Sequence, residues 1–222
     1  SYEKLDEICP LQTNSDGDLI SGYDMNWVAE LMVKFDILGL RTLSVIYNTC
    51  ESIGLDPKQI DLKDEIIYSS LQDLTTPHGI FQIEADTDFR VCRKLKPRNL
   101  DELSAEIAIA RPGALDFLDD YSRYRNTGEA QSVHTLFDKI LSYTAGIPLY
   151  QEQMMQMAVK IGFSLDEAEQ LRRIVGKKKV DQMPKWQAKI EQKIQEKNLP
   201  EDAGEVLWRV AEDSANYSFN KS

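Results

Sequence analysis

The chain has 222 residues, 42% hydrophobic and 28% charged, with a formal net charge of −11, which suits one large or two small globular domains. No apolar run approaches the roughly 20 residues that span a bilayer, and no signal-peptide pattern opens the chain, so the expectation is a cytoplasmic protein with no membrane partner. Cys9, Cys50 and Cys92 are far apart and form no CxxC pair, which argues against a disulfide framework or a zinc site.

The charge is uneven. Residues 1–90 hold 17 acids and 6 bases, whereas residues 171–197 hold nine bases against Asp181, Glu191 and Glu196. Total charge argues against a protein that coats DNA. It leaves room for a local phosphate site, because an anion feels charges within a Debye length of about 8 Å.

In chain order, 9–12 and 19–23 flank "NSDGD", whose Asp16-Gly17 predicts a hairpin. "DMNWVAELM" predicts a short helix with Asp24 as N-cap. "LMVKFDILGL" over 31–40 alternates like a strand that should be buried, with Lys34 and Asp36 on the face opposite Phe35. Residues 41–54 follow as an amphipathic helix built on Leu43, Ile46, Tyr47 and Cys50, with Gly54 at its end. Beyond that point the patterns are helical. "DEIIYSSLQDL" ends at Pro77, "LDELSAEIAIA" stops at Arg111-Pro112-Gly113, and "SVHTLFDKILSYT" ends at Gly146. The Met-rich "PLYQEQMMQMAVKIG" precedes "SLDEAEQLRRIVG", where Ser164 and Glu167 form a capping box. A polar helix over 183–197 and the stretch 203–219 close the chain, which reads as a piece excised from something longer.

Three places offer chemistry. Lys34 and Asp36 share a strand face, where a carboxylate-held metal and a phosphate could meet. Their spacing alone favours a salt bridge or a half-exposed edge strand, and one aspartate is too few for a catalytic Mg²⁺. Arg172, Arg173, Lys177, Lys178 and Lys179 put five cations into eight residues. A helix end needs about two to offset its dipole, so a phosphate site is the favoured reading. Met154, Met155 and Met157, beside Gln151, Gln153 and Gln156, read as a soft packing surface next to a polar stripe. His78 and His134 lack partners at metal spacing and read as structural.

Taken together these stretches resemble the C-family replicative DNA polymerases of bacteria, the alpha subunit of DNA polymerase III. "SGYDMNWVAELMVKFDILGLRTL" is similar to the family's last palm strand, and "HGIFQIEADTDFR" to its GIFQ-ES segment. "AEIAIARPGAL" resembles its ALxRPGP segment. "GIPLYQEQMMQMAVKIGFSLDEAEQLRRIVGKKK" follows its YQEQVMQ…LRRAmgKK stretch, and "NYSFNKS" opens like its FNKSH motif. Departures occur at Ile37, Ala85 and Ala114, and nothing before Asp36 resembles the family's upstream D-x-D motif, Asp16-Gly17-Asp18 belonging to the expected turn.

The resemblance implies a mainly α fold with a small β element near the N-terminus. Residues 1–41 would be the end of the palm, and residues 42–222 a truncated helical fingers domain. Asp36 would be one of three palm aspartates holding two Mg²⁺, with weak or no metal binding in the fragment itself. Lys34, Arg172, Arg173, Lys177 and Lys178, with Arg111 as a weaker member, would contact the dNTP triphosphate. Asn220 and Lys221 would approach the nucleotide or template. The parent would extend a primer on template DNA in company with a sliding clamp and other replisome subunits, and the fragment alone would be inactive. The competing reading is a non-catalytic helical module that binds nucleic acid or a replisome partner. A helical scaffold with neither activity ranks behind both.

Overall fold

The computed structural model describes residues 4–32 and 39–221, apart from the side chains at 216 and 217. Lys34 and Asp36, and with them most of the strand expected over 31–40, lie outside the described residues. Compactness divides the chain into two units, residues 1–59 and 60–222. This is a division by packing and does not bear on the palm and fingers assignment.

The first unit begins with α1 (Leu5–Ile8) and a hairpin of β1 (Leu11–Thr13) and β2 (Leu19–Ser21). The strands pair antiparallel with Gln12 opposite Ile20. Asn14 sets the turn: its side-chain oxygen accepts from the backbone of Asp16 and Asp18, and Gly17 supplies the left-handed residue at φ 86°. Helix α2 (Met25–Leu31) is capped as expected by Asp24, which accepts from the amides of Asn26 and Trp27. Leu31, expected to open a strand, is instead the last residue of this helix and is half exposed. Its apolar side chain carried the alternation, but the Asp24 cap had already set helical phase through it.

Helix α3 (Arg41–Ser52) closes on a Schellman motif, with Gly54 donating to the Glu51 carbonyl and Leu55 to that of Cys50. Its apolar stripe is not buried as a whole: Cys50 is buried, whereas Leu43 and Tyr47 are more than half exposed. Among the described residues of this unit only Cys9 and Cys50 are buried, while Leu19, Met25, Trp27 and Val45 are all exposed by more than 60%.

The second unit is helical: α4 (Glu65–Gln72), α5 (Asp86–Leu95), α6 (Leu100–Ile109), α7 (Leu118–Thr127), α8 (Asp138–Leu141), α9 (Gln151–Ile161), α10 (Leu165–Gly176), α11 (Met183–Glu196) and α12 (Asp202–Tyr217). With α1–α3 they make the mainly α fold with a small N-terminal β element that the sequence implied. Two of them, α5 and α7, carry no distinct expectation, though Val91, Cys92 and Leu95 are buried at helical spacing on α5. The helix expected over 132–144 is shorter, running only from Asp138. The His134 ring accepts the Leu136 amide, Phe137 turns back onto His134, and the Phe137 ring inserts fully into the core. Local hydrogen bonding thus replaces the first helical turn.

Two cores form. One gathers Met154, Met157, Leu171, Trp186, Ile190 and Leu207 from α9–α12; the other gathers Val91, Leu95, Ile109, Tyr121 and Leu149. The methionines are core residues as expected. Gln153 does not belong to a polar stripe. It is fully buried, accepting from the Tyr150 amide at 3.0 Å and donating to Thr144 Oγ1 at 2.7 Å. A buried amide with partners at both ends is stable where an unpartnered one is not. The chain reverses before α9 through Ala145 and Gly146, both at positive φ, with Gln131 donating to the Ala145 carbonyl. A Cβ on Gly146 would stand 1.6 Å from the Gln131 carbonyl oxygen, a backbone atom that cannot swing away.

Gly146→Ala is therefore expected to lower the unfolding free energy by about 3 kcal/mol or more. Urea denaturation checks this, and a midpoint within error of the parent chain would contradict it. Amide hydrogen exchange should also separate the units: α3 amides should lose protection long before those of α9, because so little of the first unit is buried. Equal protection would contradict that expectation.

Candidate phosphate-binding cleft

Helix α10 carries the arginines. Ser164 caps it and Glu167 returns the hydrogen bond at 2.9 Å, as the capping box predicts. Ala168, Leu171, Ile174 and Val175 fix its inner face in the core. Arg172 and Arg173 then fall at its C-terminal end. The helix ends on a Schellman motif in which Lys178, at φ 49°, occupies the left-handed position that glycine usually fills.

Arg172, Arg173, Gly176 and Lys177 form one wall of a cleft of about 610 Å³. Arg111, Pro112 and Gly113 form another, and Gln151, Ala211, Ser214, Ser218 and Phe219 complete it. The RPG stop after α6 is thus part of the cleft as well as a break in the chain. Arg111 reaches it with its guanidinium 4.7 Å from the centre of the Phe219 ring. Phe219 is held in turn by backbone pairing: its amide donates to Leu149 at 3.1 Å, and its carbonyl accepts from Gln151 at 3.0 Å. Gln151 Nε2 also donates to the Ser218 carbonyl at 3.3 Å. The last described residues are therefore stitched to the start of α9, and that stitch places the ring under Arg111.

The electrostatics are one-sided. The lining holds four cations and no carboxylate. One acid moderates them from behind: Glu169 accepts both prongs of Arg172 (Nε and Nη2, each 2.7 Å) and also Arg173 Nε at 2.7 Å. The Arg172 hydrogen bond, against a smaller burial cost and with help from Arg173, holds this carboxyl at about 2. Glu169 was not read from the sequence, although its i+3 and i+4 spacing to the arginines was visible there. Ser214 adds a buried hydroxyl with no hydrogen-bond partner at the cleft wall. Four positive charges, three of them planar forks, beside a spare hydroxyl can hold a polyanion.

The other expected residues lie elsewhere. Lys178 is not among the lining residues. Lys221 pairs with Asp101 at 3.1 Å, sits 5.1 Å above the Tyr143 ring, and donates its amide to Glu152. Asn220 is exposed beside it. Lys34 and Asp36 are outside the described residues. His134 is structural as expected, its Nε2 lying 3.2 Å from Asp202 while Nδ1 accepts the Leu136 amide. No helix of the described residues is long and apolar enough to cross a membrane. The described residues contain no group of three His, Cys, Asp or Glu that could hold a metal ion.

Residues 40–198 match the family described as the bacterial DNA polymerase III alpha subunit finger domain. The chain belongs to that family. It is 35% identical over 99% of its length to the DNA polymerase III subunit alpha of Thermus aquaticus, of which it covers 19%. It is 35% identical over 98% of its length to that of Aquifex aeolicus, covering 20%, and 36% identical over 99% to that of Pseudomonas aeruginosa, covering 20%. The chain thus spans about a fifth of the length of these relatives.

Because the Glu169 carboxyl is depressed from about 4.5 to about 2, it stabilises the fold above about pH 4.5 and loses that contribution as pH falls towards 2. A carboxyl ¹³C titration should place its midpoint near 2; a midpoint in the ordinary carboxylate range would contradict the clamp.

Proposed function

We propose that the cleft takes the triphosphate of a deoxynucleoside triphosphate, and that the chain is the palm edge and fingers of a longer DNA-directed DNA polymerase. The observation that carries this reading is the gathering of Arg111, Arg172, Arg173 and Lys177 on one cleft, in a chain of the fingers family. Arg172 and Arg173 would give the phosphates their forks, Lys177 a mobile point charge, and Ser214 a hydroxyl. Fixed cations in place before the reaction offset the charge that develops on a pyrophosphate leaving group.

Glu169 is central to this role. It holds both guanidiniums in one orientation, so less side-chain freedom is lost when the phosphates arrive. Lys178 would act from just beyond the cleft and Lys34 from beside the triphosphate. Lys221 and Asn220 would turn to the nucleotide or template, for which Lys221 must leave Asp101. That pair is part-exposed and worth about 0–1 kcal/mol, so leaving costs little.

The described residues do not themselves make a metal site. On this reading Asp36, which lies outside the described residues, would be one of the carboxylates that hold Mg²⁺, the others coming from the rest of the longer enzyme. When bound, such ions activate a primer 3′-hydroxyl and neutralise phosphate charge. Primer–template DNA, a sliding clamp and other replisome subunits are the partners of the whole enzyme.

Two outcomes test the reading. The 222-residue chain alone, given primer–template, dNTPs and Mg²⁺, is expected to extend no primer, and real incorporation would overturn its assignment as a part. In the full-length enzyme, Arg172→Ala with Arg173→Ala should raise the KM for dNTP about tenfold or more, since each charge-assisted hydrogen bond contributes roughly 1.5–3 kcal/mol. An unchanged KM would remove the arginines from the site.

A further inference from the structure

A second basic recess lies within the same helical unit, lined by different residues. We propose that it binds a phosphodiester of a nucleic-acid backbone. The recess, about 220 Å³, is lined by Lys94 and Lys96 from the end of α5, Arg98 from the following turn, and Arg125 from α7. Gln72, Ser122 and Asn126 add polar groups at its margin.

Arg125 makes this more than a set of surface lysines. Its side chain is only 9% exposed, one prong pairs with Glu102 at 2.9 Å, and its Nε is buried without a hydrogen-bond partner. Buried guanidinium donors are normally satisfied, and an oxyanion in the recess would meet that demand. The neighbouring acids do not cancel the charge. Glu102 is shared between Arg98 and Arg125. Asp119 pairs with Lys94 at an exposed position, where ion pairs are weak. Glu106, which lies near Arg125, is pushed up to about 8 by burial and so is neutral at neutral pH. Lys96 has no ion pair among the described residues. Cations at the ends of α5 and α7 also suit the helix dipoles, but helix-end cations ordinarily stand in solvent and do not bury a guanidinium.

The recess has no aromatic side chain in its lining, so it offers nothing on which a base could stack. Contacts would be to phosphate alone, giving binding that is independent of sequence and dependent on salt. The site would hold nucleic acid by its backbone at a place distinct from the polyphosphate cleft, and it does not rest on the assignment of that cleft.

The test uses the 222-residue chain and a fluorescein-labelled duplex, measured by anisotropy across a salt series. Lys96→Ala with Arg98→Ala should weaken binding about five- to tenfold, equally for duplexes of different sequence, and lower the slope of log K against log salt by about one, as loss of a single phosphate contact requires. Arg172→Ala with Arg173→Ala should leave that loss intact when the two pairs are combined. Unchanged affinity and slope in the Lys96/Arg98 variant overturn the proposal, as does an unaltered chain that binds no DNA. Inorganic phosphate at millimolar concentration separates the two sources of the anion. If it displaces the duplex only from chains that retain Lys96 and Arg98, the recess is a free-phosphate site and the backbone assignment fails. Resistance to phosphate supports it.

Discussion

Like charges crowded at a helix end must be restrained by something, and here the restraint is a single carboxylate. Glu169 accepts three hydrogen bonds at 2.7 Å from Arg172 and Arg173. Two guanidiniums a few ångströms apart repel by several kcal/mol at the effective dielectric of a protein surface. One shared carboxylate lowers that cost while leaving the cluster positive. The rest of the cleft follows from where α10 ends. Its inner face is fixed by Leu171, Ile174 and Val175 in the α9–α12 core, so its last turn presents the arginines to the same space as Arg111.

Arg111 directly follows Ala110 of the other core, and the two cores are joined by short backbone pairing. Phe219 bonds to Leu149 and Gln151, and its ring lies beneath the Arg111 guanidinium. Gln153 ties the start of α9 to Thr144 inside the protein. A cleft whose walls belong to two cores is sensitive to the segment that links them. That is why residues such as Gln151 and Phe219, which carry no charge, matter to its geometry.

Much of this was legible in the sequence, and the reason is local. The hairpin turn at Asn14–Gly17, the Asp24 cap, the Ser164 capping box and the Gly54 helix end all depend on contacts within five residues. The arginine cluster was visible as charge density, and three of its members do line the cleft. What could not be read depends on distant partners. Gln153 looks like a surface glutamine until Thr144 is brought beside it, and nothing near Arg111 in sequence announces Phe219. The helix expected over 132–144 loses its first part, 132–137, because His134 and Phe137 find better partners than a helical turn offers. Helices α5 and α7 are a different case: their periodicity was there to be used, as was the Glu169 spacing.

The central claim is that Arg111, Arg172 and Arg173 serve one polyanion together. Tripolyphosphate titrated into the ¹⁵N-labelled chain, with the arginine Nε–H resonances followed by NMR, tests it most directly. The account predicts that all three resonances move along one binding curve with a common dissociation constant, and that the movement disappears at high salt. Resonances that stay still, or that shift with unrelated curves, would contradict it.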